Sequence, residues 1–249
     1  MMAGMSFADS LDILYEDNHC LALNKPAGWP TTHFDGKDET VDRLAKSYLK
    51  EKHKKPGNVF LGVVHRLDKP VSGSLLFART SKAAARLSEQ FREGVVEKQY
   101  WAVVENQLSG GRQPPVAPWA TADSGSLEDW LKKNEPKERV EVVPKDTPGA
   151  QFARLLFVVR ARHAGLTWLE LRPHTGRKHQ LRVQLASRGC PIYGDVKYGS
   201  DHTFGHGIGL HARSLTFLHP TCKEPIAVKA EVPKLWRGRF AHLLASGAA

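Results

Sequence analysis

Short apolar runs separated by polar turns dominate the chain, and the clearest of them spans residues 63–78. Two apolar runs there flank a charged segment that contains proline and glycine. This pattern predicts a strand, a tight loop and a second strand. The loop carries one carboxylate, Asp68, among three potential cations, His65, Arg66 and Lys69. Because nearby cations keep a carboxylate ionised, Asp68 is a candidate for chemistry; an ordinary polar turn is the alternative.

The remaining hydrophobic pattern predicts helices, strands and hairpins on both sides of this loop. Apolar residues at helical spacing predict helices at residues 40–52 and 81–91, the second with Ser81 as its N-cap and Gly94 as its terminator. Strands are expected at 97–104, 153–161 and 166–171, and hairpins at 11–26 and 210–231. Residues 106–150 are rich in Gly, Pro and charge, and we expect an irregular insertion with one short hairpin at 140–143.

A second informative stretch covers residues 172–189, where Thr175 is expected to cap a helix that Gly189 ends. Basic side chains crowd the first turns of this helix: Arg177, Lys178, His179 and Arg182. Cations are disfavoured at a helix N-terminus, so their clustering suggests a compensating phosphate or carboxylate. A basic solvated helix is the alternative.

The feature of the composition that indicates a binding partner is the net charge. The chain has 249 residues, enough for one large domain or two small ones. Lys and Arg number 36 against 26 Asp and Glu, which gives a net charge of +10. Such a balance favours a polyanionic partner, most often nucleic acid.

Several other features bear on location. No apolar stretch is long enough to span a bilayer, so no membrane association is expected. The first ten residues lack a basic region followed by an apolar one, so no secretory signal is expected. The three cysteines are odd in number and far apart, which fits a reducing compartment. We therefore expect a cytoplasmic protein.

Twelve histidines raise a metal-dependent nuclease or hydrolase as an alternative function. His174 and His179 are near each other in sequence, and His202, His206 and His211 cluster loosely. These spacings match neither a pair of histidines separated as in zinc proteases nor paired cysteine ligands. No metal ligand is therefore assigned.

Five segments in order carry a resemblance to a known family. They are Asn-Lys-Pro-Ala-Gly at 24–28, His-Arg-Leu-Asp at 65–68, Lys-Gln-Tyr at 98–100, Thr-Gly-Arg-Lys-His-Gln-Leu-Arg at 175–182 and Pro-Ile-Tyr-Gly-Asp at 191–195. Together they resemble the RluA-type family of RNA pseudouridine synthases. The resemblance implies an α+β fold: a mixed, mainly antiparallel sheet in two halves, with flanking helices and a central cleft. It places this catalytic domain at residues 11–233.

The resemblance also implies a reaction, in which uracil in RNA is detached from its ribose, turned and rejoined through carbon without cofactor or metal. By this resemblance Asp68 matches the catalytic aspartate, Tyr100 the tyrosine that stacks on the target base, and Arg177 the arginine paired with the aspartate. Arg66 matches a residue associated with base flipping. RNA contacts are expected at Arg66, Lys69, Lys98, Lys178, His179 and Arg182.

Two departures from the family pattern affect these expectations. Val71 stands where the family often has threonine, so one loop hydroxyl is lost. The chain is not expected to carry the small N-terminal S4 RNA-binding domain of many members, so RNA binding would fall to the basic face, to residues 50–55 and, as a further candidate, to the insertion at 106–150. Ribosomal RNA is favoured over transfer RNA, and a monomer is expected. A non-catalytic RNA-binding protein on the same fold is the main alternative.

Overall fold

Two compact units make up the chain in the computed structural model, which describes residues 11–32, 39–106 and 117–247. Within this described part, unit 1 runs to Glu97 and includes Ala212–Glu231, and unit 2 holds the remaining residues. Each is built mainly from strands with few helices, which confirms the α+β class. Among the described helices, none is long and apolar enough to cross a membrane. The first ten residues, where no secretory signal was expected, lie outside the described part.

The elements follow one another in this order: β1 (Ile13–Glu16), β2 (Cys20–Lys25), α1 (Val41–Lys52), β3 (Gly62–Val63), β4 (Ser72–Ala78), α2 (Ser81–Glu93), β5 (Glu97–Glu105), β6 (Ser124–Asn134), β7 (Arg139–Val143), β8 (Gln151–His163), β9 (Leu166–Pro173), α3 (Gln180–Ala186), β10 (Leu210–Leu218), β11 (Pro225–Lys229), α4 (Lys234–Arg239) and α5 (Ala241–Ser246). Short 3-10 turns lie at Pro118–Ala120 and Val196–Tyr198.

Unit 1 is built on strands in the order β1-β2-β4-β10, with β3 paired to β4 and β11 to β10. The two predicted hairpins, β1–β2 and β10–β11, are both antiparallel and are confirmed. The predicted strand, loop and strand at 63–78 is confirmed as β3, the loop 64–71, and β4. All seven residues of β4 are buried, so this strand lies in the core and gives the loop before it a fixed base.

Helix α2 packs on the unit 1 core through Ala83 and Leu87, one helical turn apart. The helix is capped by Thr80 rather than the predicted Ser81, because Thr80 is extended and its hydroxyl accepts a hydrogen bond from the Ala83 N–H at 3.1 Å. Gly94 ends the helix in the left-handed conformation, as predicted.

Unit 2 is an antiparallel sheet in the order β5-β9-β8-β6-β7. Helix α3 contributes Val183 to a core with residues of β6, β7 and β8. The aromatic residues Trp236 and Phe240 of the C-terminal segment pack with Val103 and Trp168 of the sheet. The fold therefore extends past the expected domain end at residue 233, because α4 and α5 supply part of this core.

The segment 106–150 was expected to be irregular apart from one short hairpin, and this is wrong at residues 124–134. From Ser124 it forms β6, eleven residues long, which pairs with β8 on one side and with β7 on the other. Residues 140–143, expected to form a short hairpin, lie in β7, which is the second strand of a hairpin with β6 whose turn falls at 135–138. Only Leu127 and Leu131 of β6 are buried, so the strand lacks the apolar alternation that would reveal it. Residues 107–116 lie outside the described part.

Helix α3 also differs from its prediction, since it begins at Gln180 rather than after Thr175. His179 precedes it in the left-handed conformation, with φ of 53°. Arg177, Lys178 and His179 are therefore loop residues, not first-turn residues. The expected anion site at a helix N-terminus is not supported, because α3 has only seven residues and its basic neighbours lie outside it.

Glu16 at the end of β1 connects the strand to α1 in unit 1. Its carboxylate accepts hydrogen bonds from Tyr48 at 2.8 Å and from Lys52 at 2.7 Å, and it pairs with His53 and Arg79 at 2.9 and 3.1 Å. Burial raises the pKa of Glu16, but the bonds from Lys52, His53 and Tyr48 outweigh it and lower the pKa to about 2.

We predict that Glu16 makes unit 1 sensitive to acid. A carboxyl group whose pKa is lower in the folded protein than in the unfolded chain stabilises the fold above its unfolded pKa, and this contribution is lost as pH falls from about 4.5 to about 2. The loss is at most roughly 3 kcal/mol. Urea unfolding between pH 6 and 2.5 should show a smaller decline for Glu16→Gln than for wild type. Parallel declines in the two proteins would contradict this role.

Candidate active site

In the loop that carries Asp68, a buried apolar side chain lies on each side of the aspartate. Leu67 and Val71 are buried, whereas Arg66 and Lys69 are exposed and Asp68 is partly exposed. The Val71 N–H donates to the Asp68 carbonyl at 3.0 Å and closes the turn. The turn is thus closed by a backbone bond that does not depend on the side chain at position 71, and the valine there is buried.

A buried lysine at the end of β2 joins this loop to the preceding one. The side chain of Lys25 is fully buried, and its ammonium donates to the carbonyls of Pro26 at 2.9 Å, Trp29 at 2.7 Å and Lys69 at 3.2 Å. The Gly28 N–H also donates to the Lys69 carbonyl, at 2.8 Å. The Asn-Lys-Pro-Ala-Gly segment therefore holds the residue that directly follows Asp68.

Thr31 holds the residue directly before Asp68. Its hydroxyl donates to the Leu67 carbonyl at 2.8 Å and accepts from the Leu67 N–H at 3.2 Å. A hydroxyl can do both at once because it has one proton and two lone pairs. Asp68 is thus flanked on each side by a backbone group that an interior side chain binds.

The charges of Lys25 and Asp68 act on each other. Burial lowers the pKa of Lys25 to about 7, and the negative charge of Asp68 acts in the opposite direction. No role was predicted for Lys25 or Thr31, although a lysine that ends a buried apolar strand before Pro-Ala-Gly was a usable signal.

The other candidate residues belong to unit 2 and gather at one end of its sheet. Strands β5 and β9 pair with Tyr100 opposite Leu171, near the end of β9, and the segment with Arg177 follows. The Lys98 ammonium lies 3.9 Å from the position a Cβ would take at Gly176, so Lys98 lies against that segment. Burial lowers the pKa of Lys98.

Gln180 holds the segment with Arg177 to strand β8. Its side-chain oxygen accepts from the Arg177 N–H at 3.1 Å and the Thr175 hydroxyl at 2.8 Å, and its amide donates to the Arg154 carbonyl at 3.1 Å. The Arg177 side chain is itself fixed, because its Nε donates to the Phe152 carbonyl at 3.0 Å. Gln180 lies within the motif at 175–182, but no function was expected of it.

Two residues expected to contact RNA have side-chain partners within unit 2. Arg182 is buried and forms a two-bond ion pair with Asp195, at 2.7 and 2.8 Å, so its assignment to RNA contact is wrong. His179 is partly buried, and its Nδ1 lies 2.8 Å from the Tyr198 hydroxyl. Lys178 is exposed. The sequence could not separate these cases, since the partners are more than ten residues away.

One group of possible metal ligands occurs among the described residues, and it contains none of the histidines considered from the sequence. It consists of Asp17, Cys20 and His219 in unit 1. The carboxylate of Asp17 already accepts the backbone N–H groups of His19 and Cys20 and lies 2.7 Å from His219 Nε2. The group acts as a hydrogen-bond network that closes the β1–β2 turn.

Comparisons with known proteins identify a family whose members this chain resembles in sequence. A sequence profile described as RNA pseudouridylate synthase matches residues 19–187. The tRNA pseudouridine synthase C of Haemophilus influenzae is 34% identical over 240 residues, which cover 91% of this chain and 95% of that protein. The ribosomal large subunit pseudouridine synthase D of Xanthomonas campestris is 34% identical over 238 residues, covering 90% of this chain and 66% of that one.

Solved structures share the fold. The human RNA pseudouridylate synthase domain containing 4 has a TM-score of 0.73 and 24% identity, over 97% of this chain and 95% of that one. The human RNA pseudouridylate synthase domain containing 1 has a TM-score of 0.67 and 23% identity, over 94% and 87% of the two chains. At this identity the likeness supports the fold alone.

We predict that Lys25→Met loosens the loop with Asp68. The change keeps most of the side-chain volume but removes the ammonium donor from the carbonyls of Pro26, Trp29 and Lys69, of which Lys69 keeps its bond from the Gly28 N–H. Loss of a buried charged donor costs on the order of 2–4 kcal/mol. Urea unfolding should show this loss, and hydrogen exchange should quicken at the Val71 amide. Lys50→Met on the exposed side of α1 is the matched control. Equal stability and exchange in both variants would remove Lys25 as the anchor.

Proposed function

The chain belongs to the RNA pseudouridylate synthase family, and we propose that it isomerises a uridine in structured RNA through the carboxylate of Asp68. The family match covers more than half of the chain, and the relatives align over about nine tenths of it. The RluA-type resemblance of the motifs is thereby confirmed, and the chain is an RNA pseudouridine synthase. The roles of its residues and the identity of its RNA are the subject of the proposal.

The observation that carries the proposal is the anchoring of the Asp68 segment. An aspartate in an ordinary polar turn needs no buried ammonium behind it, yet Lys25 and Thr31 fix the backbone on both sides of Asp68. A nucleophile must be held in a defined position to react. Breaking a glycosidic bond without water calls for a carboxylate that traps the electron-poor sugar or adds to the uracil ring. Asp68 supplies that carboxylate.

Two further residues suit the handling of the base. A uridine inside a helix must leave the stack before Asp68 can reach it. Arg66 is exposed on the same loop, where a side chain can enter the vacated space. Tyr100, partly exposed on β5, provides an aromatic surface for the displaced uracil. A hydroxyl on this ring also provides a group for late proton transfer.

Arg177 is proposed as the partner of Asp68. Gln180 binds its backbone N–H and the Phe152 carbonyl accepts from its Nε, so one contact fixes the backbone and the other directs the guanidinium. A planar guanidinium holds a carboxylate in one orientation through parallel hydrogen bonds. The pair would hold the Asp68 carboxylate in one orientation during the reaction. The expected contact between the two side chains stays a prediction.

RNA binding is proposed to rest on exposed cations. Arg66, Lys69 and Lys178 are exposed, and residues 50–55 form a further exposed basic run at the end of α1. Lys98 is half-buried beside the Arg177 segment and suits a single phosphate. Such contacts neutralise RNA phosphates, so affinity should depend on salt. A cytoplasmic monomer that uses no cofactor or metal remains the proposed working form.

The substrate has two candidates. The sequence alone favours ribosomal RNA, and a relative from Xanthomonas campestris is named for the large ribosomal subunit. Transfer RNA is the second candidate, because the relative from Haemophilus influenzae that is named for it aligns over 95% of its own length. Unmodified transcripts of both kinds, offered to the purified protein, distinguish the two by release of tritium from carbon 5 of uridine.

We predict that Asp68→Asn abolishes this release on every transcript while RNA affinity stays within a factor of about two. The change is nearly isosteric and removes only the charge and nucleophilicity of the carboxylate. Turnover is measured by tritium release and affinity by fluorescence anisotropy with the same transcript. Lys69→Gln, the next residue, is the control and should weaken binding without abolishing turnover. Turnover by purified Asp68→Asn would refute the assignment.

We predict that Arg177→Lys keeps RNA affinity and lowers kcat by roughly 10- to 1,000-fold, because an ammonium cannot hold the carboxylate through two parallel bonds. The control is Lys178→Arg on the neighbouring exposed position, which should leave kcat nearly unchanged. Single-turnover rates with excess enzyme separate the two parameters. A wild-type rate in Arg177→Lys would remove Arg177 from the reaction.

A further inference from the structure

An aromatic pair lies on the solvent side of the unit 2 sheet, next to the segment with Arg177. Trp130 of β6 and Phe152 of β8 are directly opposite each other in the strand register, with ring centroids 5.6 Å apart. Phe152 is 37% exposed, one of few large apolar side chains on the described surface. A cross-strand pair of aromatic residues stabilises a sheet, but this stabilisation does not require the Phe152 ring to be exposed to solvent.

The strand register decides which face the pair occupies. Successive side chains of a strand point to opposite faces. Leu131 and Ala153 are buried and pack with Val183 of α3, so the alternate positions face away from that helix. Trp130 and Phe152 fall on these alternate positions. The pair therefore forms a partly open apolar surface on the face of the sheet opposite α3.

Cations border this surface on two sides. The Lys145 ammonium lies over the Trp130 ring, 5.9 Å from its centroid. The Arg177 Nε is bonded to the Phe152 carbonyl at 3.0 Å. A carboxylate on the same face, that of Glu128, is already paired with Arg154 at 3.3 Å. The aromatic surface thus has positive charge at both ends and a compensated negative charge beside it.

We propose that Trp130 and Phe152 form a stacking platform for an unpaired RNA nucleotide that flanks the target uridine. Aromatic rings bind bases of any sequence through their faces, and adjacent cations bind the connecting phosphates. The platform adjoins Arg177 through the Phe152 carbonyl, and Arg177 is the residue proposed above as the partner of Asp68. The inference rests on the proposed function for the identity of the target nucleotide, whereas the binding of RNA to the platform is tested separately.

The test measures binding in the Asp68→Asn protein, where no reaction interferes. The probe is the unmodified transcript that wild type converts fastest, labelled with fluorescein. Trp130→Leu and Phe152→Leu should each raise Kd by about 5- to 100-fold, since a base loses its aromatic partner. Trp130→Phe should restore most of the affinity, because it keeps a ring. Phe60→Leu is the matched control: Phe60 is a 50% exposed phenylalanine in unit 1, and its loss should change Kd by less than about twofold.

Leucine keeps the apolar packing of the sheet, so both leucine variants would bind RNA with unchanged Kd if the pair were purely structural. Far-UV circular dichroism and urea midpoints establish whether these variants fold. Unchanged Kd in the folded leucine variants would overturn the platform and leave this face to a protein partner or to no ligand. Equal losses in Trp130→Leu and Trp130→Phe would also overturn it. Failure of the proposed function has a different signature, which is tritium release by Asp68→Asn.

Discussion

The ammonium of Lys25 is the interaction on which the candidate active site depends. A buried charge is costly unless its donors are satisfied, and here three backbone carbonyls satisfy them. One of these carbonyls belongs to Lys69, the residue after Asp68. The cost of burying the lysine is therefore offset only when the segment after β2 and the loop with Asp68 are both in place. The position of Asp68 is therefore tied to the folding of unit 1. Thr31 completes the arrangement from the other side.

In unit 2 a buried side chain likewise holds the segment of the candidate residue Arg177, but this side chain is uncharged. The Gln180 side chain is buried, and it binds the backbone of the Arg177 segment and of β8 together. In both units an interior polar side chain fixes a loop through its backbone, while the side chain of the loop residue keeps part of its surface in solvent. Arg177 is exposed and Asp68 partly exposed in this way. Loops on a rigid scaffold commonly carry function for this reason.

Local patterns in the sequence predicted much of the fold, and long-range contacts explain most of what they missed. The strand, loop and strand around Asp68 followed from two apolar runs and a turn, and helix α2 from its spacing and Gly94. Strand β6 was missed because most of its residues are exposed or half-exposed. Arg182 was assigned to RNA contact because its buried partner, Asp195, lies thirteen residues away. The role of Lys25 likewise depends on the distant Lys69 carbonyl, and that of Gln180 on the distant Arg154 carbonyl.

Pseudouridine mapping across the RNA of cells that lack this protein tests the central claim most directly. The deletion strain is complemented with wild type or with Asp68→Asn, expressed at equal levels, and each uridine position is compared. A small set of positions should lose pseudouridine on deletion and regain it with wild type, but not with Asp68→Asn. Restoration by Asp68→Asn, or an unchanged map on deletion, would contradict the assignment of Asp68 as the catalytic carboxylate of a pseudouridine synthase.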